Sequence, residues 1–254
     1  MLYLCIPAYD EAETVGVLLW RIRKVFQDYS REYEVLVFDD GSADATRETL
    51  EPYSKVLPLT ILGGSVKVGY AAAIDALLRE ASARTRYPRR DALVTMQADF
   101  TDQPESLPEL VKRFEGGADI VVAEHDYKQY PKGPERTLRR VAPWIIKPFV
   151  RVPGISDPFS TLRLYRVSVV RDLLKSVGDS RLIMNDGWAG NIELLLRTAP
   201  LARRIETAPL EARYDLRSRA SRVRPWVVAR ELYRFGRSAR TTVPQTRREA
   251  VQSP

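Results

Sequence analysis

Cysteine and histidine each occur once among the 254 residues of this chain, and their scarcity excludes whole classes of chemistry. The lone cysteine, Cys5, cannot form an internal disulfide, and its place inside an apolar run indicates a core position in a protein of the reducing cytoplasm. The lone histidine, His125, excludes a catalytic histidine pair. We predict that it is a local hydrogen-bonding group and not a general base.

Long apolar runs are also missing. The strongest candidate, residues 141–146, is cut short by Lys147 and Pro148, well below the roughly 20 apolar residues that span a bilayer. The first seven residues lack the basic start of a secretory signal and are predicted to form a strand. We therefore expect no membrane crossing. The length suits one large α/β domain or one domain with a short appendage, and a hydrophobic content of 44% is enough for a sizeable core.

Acidic residues are outnumbered, because 33 Asp plus Glu stand against 40 Lys plus Arg and leave a net charge of +7. The basic excess is concentrated between residues 203 and 248, and such an uneven surface favours an anionic partner. A phosphorylated ligand, an acidic lipid and nucleic acid all qualify on charge. Nucleic acid is not among the predicted partners, because no reading module is recognisable and acidic strand ends would repel its backbone.

The first 125 residues alternate short apolar runs with longer amphipathic ones, which is typical of a parallel sheet with crossover helices. Strands are predicted at residues 2–7, 34–39, 57–62, 92–97 and 119–123. We therefore predict that residues 1–125 form a nucleotide-binding half of the domain.

Residues 126–240 differ in character and are predicted to form the acceptor-facing and membrane-facing half of the same domain, 1–240, followed by a flexible tail, 241–254. Two stretches, 136–151 and 224–240, interleave arginine with large apolar residues. Helices of this composition can lie peripherally in the headgroup layer at the inner face of a membrane. The alternative is that their apolar faces pack on the catalytic domain or form a contact in a homo-oligomer.

Acidic side chains follow three of the predicted strands. Tyr9 and Glu11 come after the first strand, Asp39 and Asp40 end the second, and Asp99 follows the fourth. Because ligands of open α/β sheets collect beyond the carboxyl ends of the strands, these groups are predicted to line one cleft. There Tyr9 can stack a base, carboxylates can accept ribose hydrogen bonds, and Asp99 can bind Mg²⁺ or Mn²⁺ between two phosphates.

Two further aspartates of these loops have simpler interpretations. Asp44 is predicted to cap a helix that begins near Ala45. Asp102 is predicted to cap a helix that begins at Pro104 or Glu105. Neither role requires a ligand.

Five segments carry ordered motifs, namely Pro7-Ala8-Tyr9-Asp10-Glu11, residues 39–46, Gly69-Tyr70-Ala71, residues 96–105 and residues 157–166. Together they resemble the GT-A-fold glycosyltransferases of family 2, and within that family the polyprenyl-phosphate sugar transferases similar to dolichyl-phosphate mannose synthase. The resemblance covers about residues 1 to 225. It implies a Rossmann-like, mostly parallel central sheet flanked by helices, with C-terminal helices on the acceptor side.

The resemblance also implies an activity, the inverting transfer of a sugar from a nucleotide-sugar donor to a polyprenyl-phosphate-type lipid. Asp99 is implied to bind Mg²⁺ or Mn²⁺ and the diphosphate, and Arg163 to lie near the phosphates. Arg222 stands where the family has a lysine. The residues implied to hold the donor are Pro7, Tyr9, Glu11, Asp39, Asp40, Ala98, Asp99, Arg217 and Arg222.

Departures from the family motifs keep alternatives open. Gln97 replaces the first aspartate of the family's D-x-D, and Thr101 replaces a glutamine that helps to ligate metal. We therefore expect either weak metal affinity or basic residues that neutralise more of the diphosphate charge. One alternative is a non-catalytic nucleotide-sugar binder. Another is transfer to a sugar or small-molecule hydroxyl with Asp186 as base, although Asp186 can equally cap the helix that follows it. An anionic lipid phosphate needs no base and is ranked first.

Overall fold

The computed structural model describes residues 1–125, 133–149, 154–210 and 224–242. Within these residues seven strands form one sheet. The strands are β1 (Leu2–Ala8), β2 (Tyr33–Asp40), β3 (Leu59–Gly64), β4 (Ala92–Thr95), β5 (Ile120–His125), β6 (Arg163–Arg166) and β7 (Ile205–Leu210).

Helices cover both faces of this sheet. They are α1 (Ala12–Asp28), α2 (Thr46–Leu50), α3 (Tyr70–Arg84), α4 (Leu107–Glu115), α5 (Pro134–Ile146), α6 (Val167–Val177), α7 (Gly187–Thr198) and α8 (Pro225–Thr242). The α/β class predicted from the alternation of apolar runs is confirmed.

The strand order is β3-β2-β1-β4-β6-β5-β7. All neighbours pair in parallel except β6, which runs antiparallel to β4 and to β5. The mostly parallel sheet is therefore confirmed, and the pairing of Ala8 with Asp39 brings the ends of β1 and β2 side by side, as predicted. The insertion of β6 between β4 and β5 was not predicted, because apolar periodicity reports the presence of a strand and not its neighbours.

The central strand β1 is apolar along its whole length because both of its faces are covered. Leu4 and Ile6 belong to the core shared with α1 and α4. Tyr3 and Cys5 point the other way, into the core shared with α3 and α6. The predicted core position of Cys5 is thus confirmed, and each large side chain buried here stabilises the sheet by about 1.5 to 3 kcal/mol.

Helices α5 and α8 pack their apolar sides on one another and on α7. Their shared cluster contains Leu138, Ala142, Ile146, Phe159, Ala189, Ile192, Leu232, Phe235 and Ala239. The approach is close, since a Cβ on Gly236 would lie 2.5 Å from a ring carbon of Phe149. The apolar faces of α5 and α8 therefore pack within the domain, as the alternative to membrane binding predicted. On the outer sides of these helices Trp144 and Trp226 remain 74% and 88% exposed.

Several predicted boundaries differ from the structure. The sequence pattern also predicts a helix from about residue 135 to 150 and a strand pair near residues 204–214. The helix ends at Ile146, and of the strand pair the structure shows β7. The second strand of that pair falls on residues 211–214, outside the described residues. In the described part of the chain, no helix is both long enough and apolar enough to cross a bilayer.

Candidate active site

A cleft of about 430 Å³ opens at the carboxyl ends of β1, β2 and β4. It gathers seven of the residues singled out from the sequence, although these come from four separate segments of the chain. The seven are Pro7, Tyr9, Glu11, Asp40, Ala98, Asp99 and Asp186. Asp39 and Arg163 do not line this cleft, and Arg217 and Arg222 lie outside the described residues.

The loops after β1 and β2 are fastened to each other at the rim of the cleft. The backbone N–H of Asp10 donates to Ser42 Oγ at 3.0 Å, and the N–H of Ala43 donates to Asp10 Oδ1 at 2.8 Å. The N–H of Glu11 donates to Thr46 Oγ1 at 2.8 Å. Asp10 has a positive φ of 51°, a conformation that costs of order 1 kcal/mol and is offset by these bonds. Tyr9 and Glu11 are thereby held at fixed positions on the rim.

Asp44 stabilises the starts of two helices. Its carboxylate accepts hydrogen bonds from the N–H of Thr46, the first residue of α2, and from the N–H of Ala12, the first residue of α1. Burial would raise the pKa of Asp44, but the hydrogen bonds from Thr46 and Ala12 outweigh it and lower the pKa. The predicted cap near Ala45 is confirmed, and the bond to α1 adds a link between the two loops.

The adjacent aspartates of β2 have separate tasks. Asp39 is 3% exposed, accepts a bond from the N–H of Ser42 at 3.1 Å and lies 3.8 Å from a guanidinium nitrogen of Arg47. Asp40 lines the cleft and accepts bonds from the N–H groups of Val68 at 2.6 Å and Gly69 at 3.1 Å. Asp39 therefore shapes the turn beneath the cleft, and Asp40 positions the loop that leads into α3.

Asp186 also binds the amino end of α3 and not the helix it precedes. Its Oδ1 accepts a bond from the N–H of Ala71 at 2.7 Å, and it makes no side-chain capping bond to α7. The predicted cap on its own helix is therefore wrong, since the fold brings a different helix end to this carboxylate. Two carboxylates thus lie at the amino end of α3, where the helix dipole favours negative charge: Asp186 binds an amide of its first turn, and Asp40 binds the two amides that precede the helix.

Asp99 lies half-buried on the loop after β4 and faces the cleft. Its Oδ1 accepts a bond from the N–H of Thr101 at 3.0 Å, and the next residue, Phe100, has a positive φ of 63°. The carboxylate of Asp102 holds the loop together, because it accepts bonds from the N–H of Gln97 at 2.8 Å and from Thr161 Oγ1 at 2.9 Å. Asp99 is thus presented to the cleft by a tightly held loop.

The prediction that Asp102 caps the following helix is wrong. The helical turn at Pro104–Ser106 has Gln103 at its cap and shows no side-chain capping bond. Asp102 is 1% exposed because the loop folds over it. Burial raises the pKa of Asp102 to about 7, although the hydrogen bonds from Gln97 and Thr161 act in the opposite direction.

The raised pKa of Asp102 predicts a pH dependence of stability. In the unfolded chain an aspartate titrates near 4, so between about pH 4 and pH 7 the folded state binds the extra proton. This contribution to the free energy of unfolding is present below pH 4 and is lost as the pH rises to about 7. Between about pH 4 and pH 7 the wild type should lose of order 2 to 4 kcal/mol of its free energy of unfolding through this group, and the Asp102→Asn variant should not. Urea unfolding of both proteins between pH 4.5 and 8, without divalent metal, measures it, and parallel profiles would contradict it.

Arg163 is buried in the structure, at 1% exposure. Its Nη1 donates to the carbonyl oxygen of Asn191 and its Nη2 to that of Pro158, each at 2.5 Å. Its Nε has no hydrogen-bond partner among the described residues. The guanidinium therefore joins the segment before β6 to α7 beneath the cleft, and its predicted approach to the phosphates stays a prediction.

Sequence reasoning missed several residues of the cleft. Lys67, Trp188, Val228 and Glu231 all contribute to its wall, as does Tyr70 of the Gly69-Tyr70-Ala71 motif, to which no role in the site had been assigned. Lys67 precedes the Gly69-Tyr70-Ala71 helix start, and Trp188 follows Asp186, so both carried a local signal. Val228 and Glu231 come from α8 and carried none, because only the packing of α8 on α7 brings them there.

Two aromatic rings of the wall are fixed by polar contacts. Tyr70 Oη donates to Asn191 Oδ1 at 2.6 Å, and burial raises the pKa of the Tyr70 hydroxyl. The Trp188 ring lies 5.3 Å from the Phe159 ring, and the Arg139 guanidinium carbon lies 4.9 Å from the Trp188 ring centroid.

The described residues contain no cluster of three metal-ligating side chains.

Comparison with protein families places these features in context. The model of the family described as glycosyl transferase family 2 matches residues 3–174. The chain is 30% identical over 176 residues to an undecaprenyl-phosphate 4-deoxy-4-formamido-L-arabinose transferase of Pseudomonas fluorescens, which covers 67% of this chain and 48% of that protein. It is 29% identical over 212 residues to an undecaprenyl-phosphate mannosyltransferase of Micrococcus luteus, with 81% and 80% covered. The chain spans about half the length of the formamido-arabinose transferases that it matches.

Solved structures share the fold. Glucosyl-3-phosphoglycerate synthase from Mycobacterium tuberculosis, in complex with Mn²⁺, UDP and glucosyl-3-phosphoglycerate, superimposes with a TM-score of 0.61 at 20% identity, covering 97% of this chain and 81% of that one. TarS from S. aureus, in complex with UDP-GlcNAc, gives a TM-score of 0.61 at 16% identity, covering 94% and 66%. At these identities the likeness establishes the GT-A fold.

Proposed function

Because the chain belongs to glycosyl transferase family 2, we propose that it transfers a sugar from a nucleotide-sugar donor to a polyprenyl-phosphate acceptor, with inversion at the anomeric carbon. The observation that carries the proposal is the meeting of Tyr9, Glu11 and Asp99 in one cleft. The relatives named for undecaprenyl phosphate support the choice of acceptor.

The cleft offers separate contacts for the parts of a nucleotide donor. The half-buried ring of Tyr9 presents a stacking surface for a base, and Glu11 beside it offers carboxylate oxygens to hydroxyl groups. Asp40 and Asp186 hold α3 in place and so shape the opposite wall. Pro7 and Ala98 also line the cleft, and small or rigid residues of this kind let a ligand approach closely.

A divalent metal fits this donor site in a limited way. Mg²⁺ is typically held by one or two carboxylates together with substrate phosphates and water, so Asp99 can hold such an ion without a cluster of protein ligands. Gln97 beside it adds an amide oxygen and no charge. When bound, Mg²⁺ or Mn²⁺ would neutralise charge on the departing diphosphate. The presence of Mn²⁺ together with UDP in the complex of the M. tuberculosis synthase supports this proposal.

Transfer to a phosphate acceptor makes few demands on the protein. An oxygen of the lipid phosphate is already anionic at neutral pH, and its electron pair forms the new bond to the anomeric carbon. The bond from that carbon to the nucleoside diphosphate breaks, and the diphosphate keeps the electron pair. No proton has to be removed, which suits a cleft with no histidine among its described lining residues. The protein then acts by positioning the two reactants and excluding water.

Transfer to a hydroxyl remains the second candidate because Asp186 lines the cleft. Its position at the amino end of α3 gives it a structural task as well, since Oδ1 is bonded to the N–H of Ala71. The bond from the Ala71 N–H occupies Oδ1, so this oxygen serves the helix and not the proton of an acceptor hydroxyl. This geometry favours the phosphate acceptor.

The test of the function is an acceptor assay. Purified protein, Mn²⁺ and a panel of nucleotide sugars are incubated with undecaprenyl phosphate in detergent, and lipid-linked sugar is measured by mass spectrometry. We expect a sugar phospholipid product from at least one donor. A protein that binds the donor but neither transfers nor hydrolyses it, whichever acceptor is supplied, would be a non-catalytic binder and would overturn the proposal.

The Asp186→Asn variant separates the two acceptor classes. Asparagine keeps an oxygen that can accept the bond from the N–H of Ala71 and loses the basic carboxylate. For a phosphate acceptor we expect turnover within about threefold of the wild type, since no proton is abstracted. The Asp186→Ala variant, which loses the cap, controls for stability and should lower it by about 1 kcal/mol. Abolished turnover in Asp186→Asn with donor binding intact would indicate hydroxyl transfer.

A membrane surface is the proposed site of acceptor delivery. Trp144 of α5 and Trp226 of α8 remain mostly exposed after both helices have packed, and tryptophan favours the interfacial layer of a bilayer. The alternative is that these side chains contact a second copy of the chain. Flotation of the protein with anionic vesicles in the absence of detergent, compared with a Trp144→Ala, Trp226→Ala variant, distinguishes the two.

A further inference from the structure

The cleft is strongly acidic for a site that takes a phosphorylated ligand. Its lining contains five carboxylates, those of Glu11, Asp40, Asp99, Asp186 and Glu231. Among the described lining residues, Lys67 is the one that carries a positive charge. A nucleoside diphosphate brings two to three negative charges, so a cation within the cleft has a large influence on its binding.

Lys67 is held where it can act on two parts of a ligand. Its Nζ lies 3.3 Å from the centroid of the Tyr9 ring, within the range of a cation–π contact. The backbone beside it is anchored, because Asp40 accepts bonds from the N–H groups of Val68 and Gly69. Its side chain is exposed, so the ammonium can move while the loop stays in place.

We propose that Lys67 binds the donor diphosphate and that its ammonium leaves the Tyr9 ring when a nucleobase stacks there. This inference rests on the proposed function. The ammonium and a base cannot occupy the same ring face, so base stacking displaces the ammonium, and an incoming diphosphate gives it a stronger partner. At an exposed site a cation–π contact is weaker than a charge-assisted hydrogen bond to phosphate.

The competition predicts opposite effects on the two halves of the ligand. Loss of the Lys67 charge removes the attraction for the diphosphate. It also uncovers the Tyr9 ring, so a nucleoside without phosphates should bind equally well or more tightly. A lysine that merely packed against Tyr9 would instead affect nucleoside and nucleoside diphosphate alike.

The experiment measures binding of UDP and GDP by calorimetry in Mn²⁺, and binding of uridine and guanosine by ligand-observed nuclear magnetic resonance. We expect Lys67→Met to weaken diphosphate binding at least tenfold, which is about 1.4 kcal/mol, and to leave nucleoside binding unchanged or tighter. Lys67→Arg keeps the charge and should stay within threefold of the wild type. The loss in Lys67→Met should shrink at high salt, where charge interactions are screened.

A matched control is Lys112→Met, which removes one positive charge from an exposed position on α4 outside the cleft lining. It should bind both ligands as the wild type does. If Lys67→Met binds the diphosphate as tightly as the wild type, or loses affinity equally for nucleoside and diphosphate, the role of Lys67 is overturned. The proposed function is not affected by that outcome. A wild-type protein that binds neither UDP nor GDP overturns the proposed function together with the role of Lys67.

Discussion

Replacing Asp99 with asparagine is expected to lower kcat/KM for sugar transfer by about 100-fold to 1000-fold. Asp99 is the half-buried carboxylate on the loop after β4, and it faces the cleft beside Gln97. Asparagine can still accept the bond from the N–H of Thr101, so the loop should keep its shape. What is lost is the negative charge that would hold a divalent ion against the diphosphate. Initial rates over a range of Mn²⁺ concentrations measure the effect.

The rate comparison needs a variant with the same chemical change elsewhere. Asp28→Asn supplies it, because Asp28 is exposed at the end of α1 and lies outside the cleft lining. Its activity should equal that of the wild type, and both variants should unfold at the same urea concentration as the wild type within experimental error. Retention of more than a tenth of the wild-type kcat/KM by Asp99→Asn would show that Asp99 does not hold the metal.

Arg163→Met is expected to lower the free energy of unfolding by about 2 to 5 kcal/mol and to leave donor affinity unchanged in the protein that remains folded. The guanidinium of Arg163 supplies hydrogen bonds to the carbonyl oxygens of the half-buried Pro158 and the buried Asn191. Methionine fills much of the volume but donates nothing, so both carbonyls lose this donor. Urea unfolding gives the loss of stability, and titration with UDP and GDP gives the affinity.

Arg163→Lys guards against a methionine variant that fails to fold. A lysine keeps the charge and can reach one carbonyl, so its stability should lie between those of the other two proteins. Arg23→Met is the matched control, since Arg23 is exposed on α1 and should change stability by less than about 0.5 kcal/mol. A variant of normal stability with weakened donor binding would instead support the phosphate contact implied by the resemblance.

Motif comparison leaves the orientation of the Arg163 side chain open. The motif of residues 157–166 contains Arg163, and the structure places this residue at the start of β6, next to β4. Whether the side chain points into the cleft or beneath it depends on what packs around it. Here α7 and the segment ending at Pro158 offer carbonyl oxygens that draw the guanidinium inward.

Asp102 and Asp186 show the same limit for helix caps. Each stands before a helix in the sequence, and local spacing alone predicts a cap there. In the structure Asp102 turns back to Gln97 and Thr161, and Asp186 reaches α3. Asp44, whose partner Thr46 lies only two residues away, was predicted correctly because that contact depends on local geometry alone.

The α/β class, the parallel core strands and the placement of acidic loops after β1, β2 and β4 could be predicted from the amino-acid sequence. Apolar periodicity and strand ends are local properties, and parallel strands bring their carboxyl ends to one edge whatever lies between them. The tertiary structure alone decided that β6 enters antiparallel and that α8 closes the cleft with Val228 and Glu231. It also brought Lys67 to Tyr9. These contacts join residues far apart in the chain, so they arise only when burial of apolar surface packs the elements together.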